Sequence, residues 1–276
     1  MDKANKKKLT GLIVIFVVAV VAMIVFAALW VIEARAMRQA ENFFDGIAIE
    51  MVQMPITTTP FATNSSQNVV INTDEDEYND EEEFVFVLPE IDFDSMRGSM
   101  PNIVGWIQSP GTPINYPIVH GSDNDFYLNH LPDGRRNVIG SIFLDYRNEA
   151  DFSSPVMFIY GHNMASGNKF SSLRNYTRND FFVNHSSMIV FTPAQNYQLR
   201  IFAGYDIDSS LEHPPMYFDT EADFESFLAD MRRRSYIRSG FEPEFGDTIV
   251  FLVTCIYTNN SPWRRIIVGV LESFDV

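Results

Sequence analysis

Three residues at the ends of apolar runs have the types needed for acyl transfer. Cys255, the single cysteine of the chain, ends the run Thr248-Ile249-Val250-Phe251-Leu252-Val253-Thr254. His162 follows a second run, Val156-Met157-Phe158-Ile159-Tyr160-Gly161, and Arg264 opens a third only nine residues after the cysteine. A thiolate attacks a carbonyl, and an imidazole can take the thiol proton and later protonate the leaving amine. A guanidinium stays charged and presents a fork of donors to a substrate carbonyl or an oxyanion. Antiparallel strands joined by so short a loop tend to be neighbours, which brings an arginine near the thiol. With one cysteine an internal disulfide is excluded, and no Cys/His cluster has the spacing of a structural metal site.

Each residue also has a plainer role. A cysteine at a strand end packs as a small hydrophobe, a histidine in a turn can be a satisfied polar group, and an arginine can be a surface cation. Arg265 competes with Arg264. Strand alternation puts Arg264 on the face of Ile266 and Val268 and Arg265 on the face of Ile267 and Gly269, so only one of them faces the thiol. His120, His130 and His185 fall in polar or turn-rich loops, and His213 precedes a Pro-Pro pair.

The elements that must position these residues are mainly strands. β-branched and aromatic runs bounded by Gly, Pro, Asn or Asp predict strands at Gly140 to Asp145, Val156 to Tyr160, Ser187 to Thr192, Gln198 to Tyr205, Asp247 to Cys255 and Arg264 to Leu271. Helices are predicted at Glu90 to Met96 and at Thr220 to Arg233. In the second, Thr220 caps the N-terminus and Phe224, Phe227, Leu228 and Met231 form one apolar stripe.

Ahead of this domain, Leu12 to Ile32 carries no charge and is long enough to cross a hydrocarbon core about 30 Å thick. Lys3, Lys6, Lys7 and Lys8 precede it, so the positive-inside rule puts residues 1–11 in the cytoplasm and everything after residue 32 outside. Ala34-Arg35-Ala36 also fits a signal-peptide cleavage pattern, but so long an apolar stretch favours a retained single-pass anchor. Residues 33–88 read as a short juxtamembrane helix, Glu33 to Phe44, and then a polar, acidic, self-repelling spacer; ordered sequence resumes at 89–276. A net charge of −16 argues against nucleic acid as a partner.

Together these residues resemble the class B sortases. Leu252-Val253-Thr254-Cys255 is similar to the sortase cysteine signature, with Phe251 where a Thr is common. Tyr160-Gly161-His162-Asn163-Met164 resembles the histidine segment of class B. Val104-Gly105-Trp106-Ile107, Pro110-Gly111-Thr112, Asp123-Asn124 with Tyr127-Leu128, and Gly140 to Asp145 also resemble that class, in the family's order. The resemblance implies a mainly β fold with added helices: an eight-stranded sortase β-barrel preceded by one transmembrane helix, with Thr220 to Arg233 as the helix between the sixth and seventh strands. It implies Cys255, His162 and Arg264 as the catalytic set, and Asn124, Leu128, Tyr236 and Ile237 along the substrate groove. Packing is an equally good role for Tyr236 and Ile237, and turn formation for Asn124. Ile256 stands where a polar residue is often found.

The implied activity is transpeptidation. A secreted protein bearing a C-terminal, Asn-Pro-x-Thr-like sorting signal is cleaved after Thr through a thioacyl enzyme and joined to a peptidoglycan amine of a Gram-positive wall, with no cofactor. Two other readings stay open: a pilus-polymerising enzyme that uses a pilin lysine, and a non-enzymatic, membrane-tethered binding module with an inert Cys255.

Overall fold

A computed structural model describes residues 3–51, 88–256 and 261–273. The acidic spacer, residues 52–87, lies outside the described residues. Eight strands close into one barrel: β1 (Ile103–Gln108), β2 (Asn115–His120), β3 (Ile142–Leu144), β4 (Val156–Tyr160), β5 (Ser187–Phe191), β6 (Asn196–Asp208), β7 (Ile249–Cys255) and β8 (Trp263–Ser273). Around the barrel the order is β1-β2-β3-β4-β7-β8-β6-β5, with β5 returning to β1. The pairs β2/β3 and β4/β7 are parallel and the rest are antiparallel. The expected mainly β barrel with added helices is what is observed.

Alternation along each strand sorts side chains into two layers. Met157, Ile159, Val250, Leu252, Leu199, Ile201 and Ile267 point inward and fill the barrel. Val156, Phe158, Ile249, Phe251, Val253, Ile266 and Val268 point outward, under a helix. That helix is α4 (Glu221–Arg234), the last of four; the others are α1 (Lys3–Met51), α2 (Phe93–Ser99) and α3 (Asn179–Asn184). Thr220 caps α4 by accepting from the Asp223 N–H, and Phe224, Leu228 and Met231 are buried against the outer layer. At roughly 25 cal/mol per Å² of apolar surface, three such side chains contribute several kcal/mol, enough to hold the α4 crossover on the sheet.

Two features depart from the sequence reading. The sequence reading names no strand at Asn115–His120, where Pro117 cannot donate to a ladder. In the barrel Pro117 lies opposite Trp106, and β2 pairs on both sides around it. The second helix begins at Phe93 rather than at Glu90, because Asp92 caps it, accepting from the Ser95 N–H at 2.9 Å.

The N-terminal segment also differs from the sequence reading. The apolar segment and the juxtamembrane helix form one continuous helix, α1, and Gly11–Ile47 is long and apolar enough to cross a membrane. Nearly all of its apolar residues from Leu12 to Ile32 are exposed, whereas Ala40 and Phe44 are buried against the barrel. The juxtamembrane helix is thus packed onto the domain it was expected only to precede.

Candidate active site

β7 carries Cys255 at its C-terminal end between two neighbours that bring the expected partners. On one side the antiparallel register with β8 sets Cys255 directly opposite Arg264. On the other, the parallel register with β4 pairs Tyr160 with Val253. Just past β4, the Gly161 N–H donates to the Val253 carbonyl (3.1 Å), and Asn163 Nδ2 donates to the Ile256 carbonyl (3.3 Å). His162 is therefore bracketed by contacts to residues on either side of Cys255. Alternation puts Arg264, Cys255 and His162 in continuation of the outer rows Ile266, Val253 and Tyr160.

All three side chains are intermediate in exposure, so a thiol here is reachable from solvent. Gly161 follows directly on β4 and is buried. A Cβ there would come within 2.4 Å of Ile142 Cδ1 and 2.7 Å of Phe170 Cδ2, so any side chain would have to displace Ile142 or Phe170. His162 Nε2 lies 2.6 Å from the Leu128 carbonyl. A carbonyl only accepts, so Nε2 holds a proton and Nδ1 is the nitrogen left to exchange one.

Asn124 and Leu128 share one loop beside this site. Leu128 contributes the carbonyl that orients His162, with its own side chain exposed at 39%. Asn124 is fixed at both ends: its Nδ2 donates to Asp145 (2.9 Å) and its Oδ1 accepts from the Tyr146 N–H (3.1 Å). Asp145 is the hub of this region. Fully buried, it also accepts from Arg147 Nε (2.8 Å) and Nη2 (2.7 Å) and from the Tyr160 hydroxyl (3.0 Å). Burial works against its charge, but the hydrogen bonds from Arg147, Asn124 and Tyr160 outweigh burial and draw the carboxyl down to about 2. Tyr160 is pushed well above the usual phenol value by burial and by the adjacent carboxylate, so it stays a donor. Sequence reasoning missed this cluster; its signal was an acidic residue ending the strand run Gly140 to Asp145, with an arginine two residues on.

Tyr236 and Ile237 pack against β6 and the inner row of β8. Both follow α4, and the Tyr236 N–H donates to the Gly204 carbonyl of β6 at 2.9 Å. Ile237, 4% exposed, belongs to the barrel interior with Leu252 and Ile267, so its side chain is committed to packing. With Tyr236 goes Arg265, whose guanidinium stands 5.5 Å from the center of that ring and grips Asp206 through two 2.9 Å contacts. Arg264 instead turns back on its own loop, donating to the carbonyls of Ser261 (2.5 Å) and Trp263 (3.1 Å). The register thus sets Arg264 opposite Cys255 and the histidine segment against the other side of β7, while Arg265 stands with Tyr236 and donates to the Arg174 carbonyl (3.2 Å). A cavity of about 300 Å³ opens beside Arg264, floored by Phe158, Tyr160, Val253 and Ile266 and edged by Arg147 and His213.

No protein-family model matches the chain. Sortase B of Staphylococcus aureus (strain NCTC 8325 / PS 47) is 31% identical over 176 residues, 64% of this chain and 72% of that protein. This chain belongs to the sortase B family. Sortases of this kind are cysteine transpeptidases. Sortase B of Listeria monocytogenes serovar 1/2a is 36% identical over 154 residues, 56% of this chain; the match spans 63% of that relative's length, under two thirds. The solved structure of a Staphylococcus aureus sortase B–substrate complex superimposes with a TM-score of 0.63 at 29% identity, over 66% of this chain and 85% of the other. The eight-stranded closed barrel is accordingly the sortase fold.

Proposed function

We propose that this chain is a membrane-anchored transpeptidase in which Cys255 cleaves a C-terminal sorting signal and transfers the protein to a cell-wall amine. The observation that carries the reading is the register: Cys255 is opposite Arg264 on one side and flanked by the histidine segment on the other. The Cys255 thiolate attacks the carbonyl carbon that follows the signal's threonine side chain. The tetrahedral oxyanion collapses, the C–N bond breaks, and the imidazolium of His162 gives its proton to the departing amine. An acceptor amine then attacks the thioester and returns a proton to His162, and Cys255 leaves as thiolate. The family supports an Asn-Pro-x-Thr-like signal and a peptidoglycan amine. The lysines before the apolar segment support a cytoplasmic N-terminus with the barrel outside.

The register of Arg264 opposite Cys255 supports it as the partner of the oxyanion. A second reading gives substrate binding to Arg265, favoured by its place over Tyr236, one of the residues the resemblance assigns to the groove. The test is cleavage of quenched Asn-Pro-x-Thr peptides, with and without an added amine, by the full chain and by Cys255→Ala, Arg264→Ala and Arg265→Ala. Cysteine-dependent cleavage whose product incorporates the amine supports transpeptidation. A folded protein whose cysteine resists a methanethiosulfonate reagent and which cleaves no peptide overturns it.

A further inference from the structure

The C-terminal part of α1 is built into the barrel, and it meets the barrel at the histidine segment. Ala36, Met37, Ala40, Phe43, Phe44 and Ile47 recur at helical spacing on one face. Ala40 and Phe44 join the main core, while Phe43 and Ile47 pack against the cluster formed by α2 and Trp106. Two polar ties fix the register: Asn137 Nδ2 donates to the Ala36 carbonyl (3.0 Å), and Asn168 Nδ2 donates to Glu41 Oε1 (3.0 Å).

Residues 162–171 form a closed loop. The Phe170 N–H donates to the His162 carbonyl (3.0 Å), Asn163 bridges to Lys169, and Ser171 Oγ accepts from the Met164 N–H (2.6 Å) and donates to its carbonyl (2.8 Å). One arm carries His162; the other carries Asn168 and Lys169, the residues that α1 holds. Lys169 is wholly buried, and its Nζ finds no hydrogen-bond partner among the described residues. That nitrogen lies 3.2 Å from the center of the Phe44 ring and 4.4 Å from that of Tyr116. The backbone of Lys169 is also left-handed, with φ +58°. An unpaired buried amine and a left-handed non-glycine residue are each unfavourable and persist only where surrounding packing over-determines them. Here the packing comes from the anchor helix.

We propose that the juxtamembrane part of α1 is a positioning element of the active site: Glu41 and Phe44 clasp Asn168 and Lys169, and so set the loop that places His162 beside Cys255. The proposal rests on the catalytic reading of His162. Docking of the anchor and competence of the thiol are then one event, and the enzyme works at full rate only when the helix leaving the membrane is seated on the barrel.

The test uses the full chain in detergent micelles, with Phe44→Ala, Phe44→Tyr, Glu41→Ala and His162→Ala. Two readouts are taken: the pH profile of Cys255 labelling by a methanethiosulfonate reagent, and kcat and KM for peptide cleavage. Misplacement of a catalytic group by an ångström lowers rate by up to about a hundredfold, so Phe44→Ala should lower kcat on the order of tenfold with KM unchanged. It should also move the labelling profile toward that of His162→Ala, and Phe44→Tyr should restore both. If Phe44→Ala does not fold, Glu41→Ala, which removes one hydrogen bond at a partly exposed position, should shift the profile the same way by a smaller amount. Wild-type kcat and labelling profile in a folded Phe44→Ala or in Glu41→Ala, with His162→Ala inactive, overturn the positioning role alone. A wild-type profile and rate in His162→Ala overturn instead the catalytic reading beneath it.

Discussion

Replacing Asp145 with asparagine tests whether the cluster beside the site is held by charge. Asp145 has no exposed surface and accepts from Arg147, Asn124 and Tyr160 at 2.7–3.0 Å. Asparagine keeps the shape but turns one acceptor into a donor that faces donors. Breaking a buried ion pair costs about 3–5 kcal/mol when both partners are enclosed. Arg147 is 48% exposed and regains water, which brings the figure toward about 2–3 kcal/mol. The carboxyl gives a matching value: drawn from 3.8 to about 2, it contributes roughly 2.4 kcal/mol at about 1.36 kcal/mol per pH unit. A depressed acid stabilises the fold fully above its unfolded value, and the contribution is lost as pH falls from 3.8 toward 2. Urea unfolding of wild type and Asp145→Asn, at neutral pH and through that acid window, is the assay. The variant should be less stable by about 2–3 kcal/mol at neutral pH, a Tm lower by about 5–10 °C, and the difference should vanish at the acid end. Equal stability at neutral pH, or a gap that survives protonation, would refute the argument.

Other outcomes follow from single contacts. Gly161→Ala must displace Ile142 or Phe170, so it should destabilise by about 1–3 kcal/mol and slow peptide cleavage through His162; a melt and a rate near wild type would show that β4 yields more easily than its packing implies. Arg265→Ala breaks the pair with Asp206, so it should lower the melting temperature, whereas Arg264→Ala, whose contacts are carbonyls of its own loop, should leave the melt unchanged. Comparing the two activities then assigns the substrate-facing arginine. Burial holds the Lys169 amine well below its ordinary 10.5, so the unfolded chain binds the extra proton and stability should rise with pH from neutral toward that value. Burial keeps Tyr116, whose ring faces the amine, neutral over that range. Lys169→Met should flatten the rise, and an unchanged slope would show that the amine is solvated.

What the sequence settles on its own is local. Short, continuous apolar runs that end at Gly161 and Cys255 make two strands covered on both faces and leave His162 and Cys255 at their ends, because β-branched and aromatic residues suit a buried pleated strand. Thr220 and the stripe Phe224, Leu228, Met231 define α4 for the same kind of reason, and charge-free Leu12 to Ile32 defines the apolar part of α1. Alternation also states that Arg264 and Arg265 face opposite ways. Which of them stands over Tyr236 is not local, since Tyr236 reaches β8 only after α4 has crossed the barrel.

The parallel pairing of β4 with β7 is likewise tertiary. Nearly ninety residues separate the two strands, and only closure of the barrel makes them neighbours and brings the histidine segment against β7. Pro117 costs β2 one ladder N–H, a local penalty, which is outweighed by pairing with β1 just before it and with β3 on its other side. The juxtamembrane helix is the sharpest case. Its apolar face was written in the sequence, but an amphipathic helix beside a membrane reads the same whether it lies free or docks. The barrel decides, by presenting Tyr116, Asn137, Asn168 and Lys169 at the spacing of Ala36, Glu41 and Phe44.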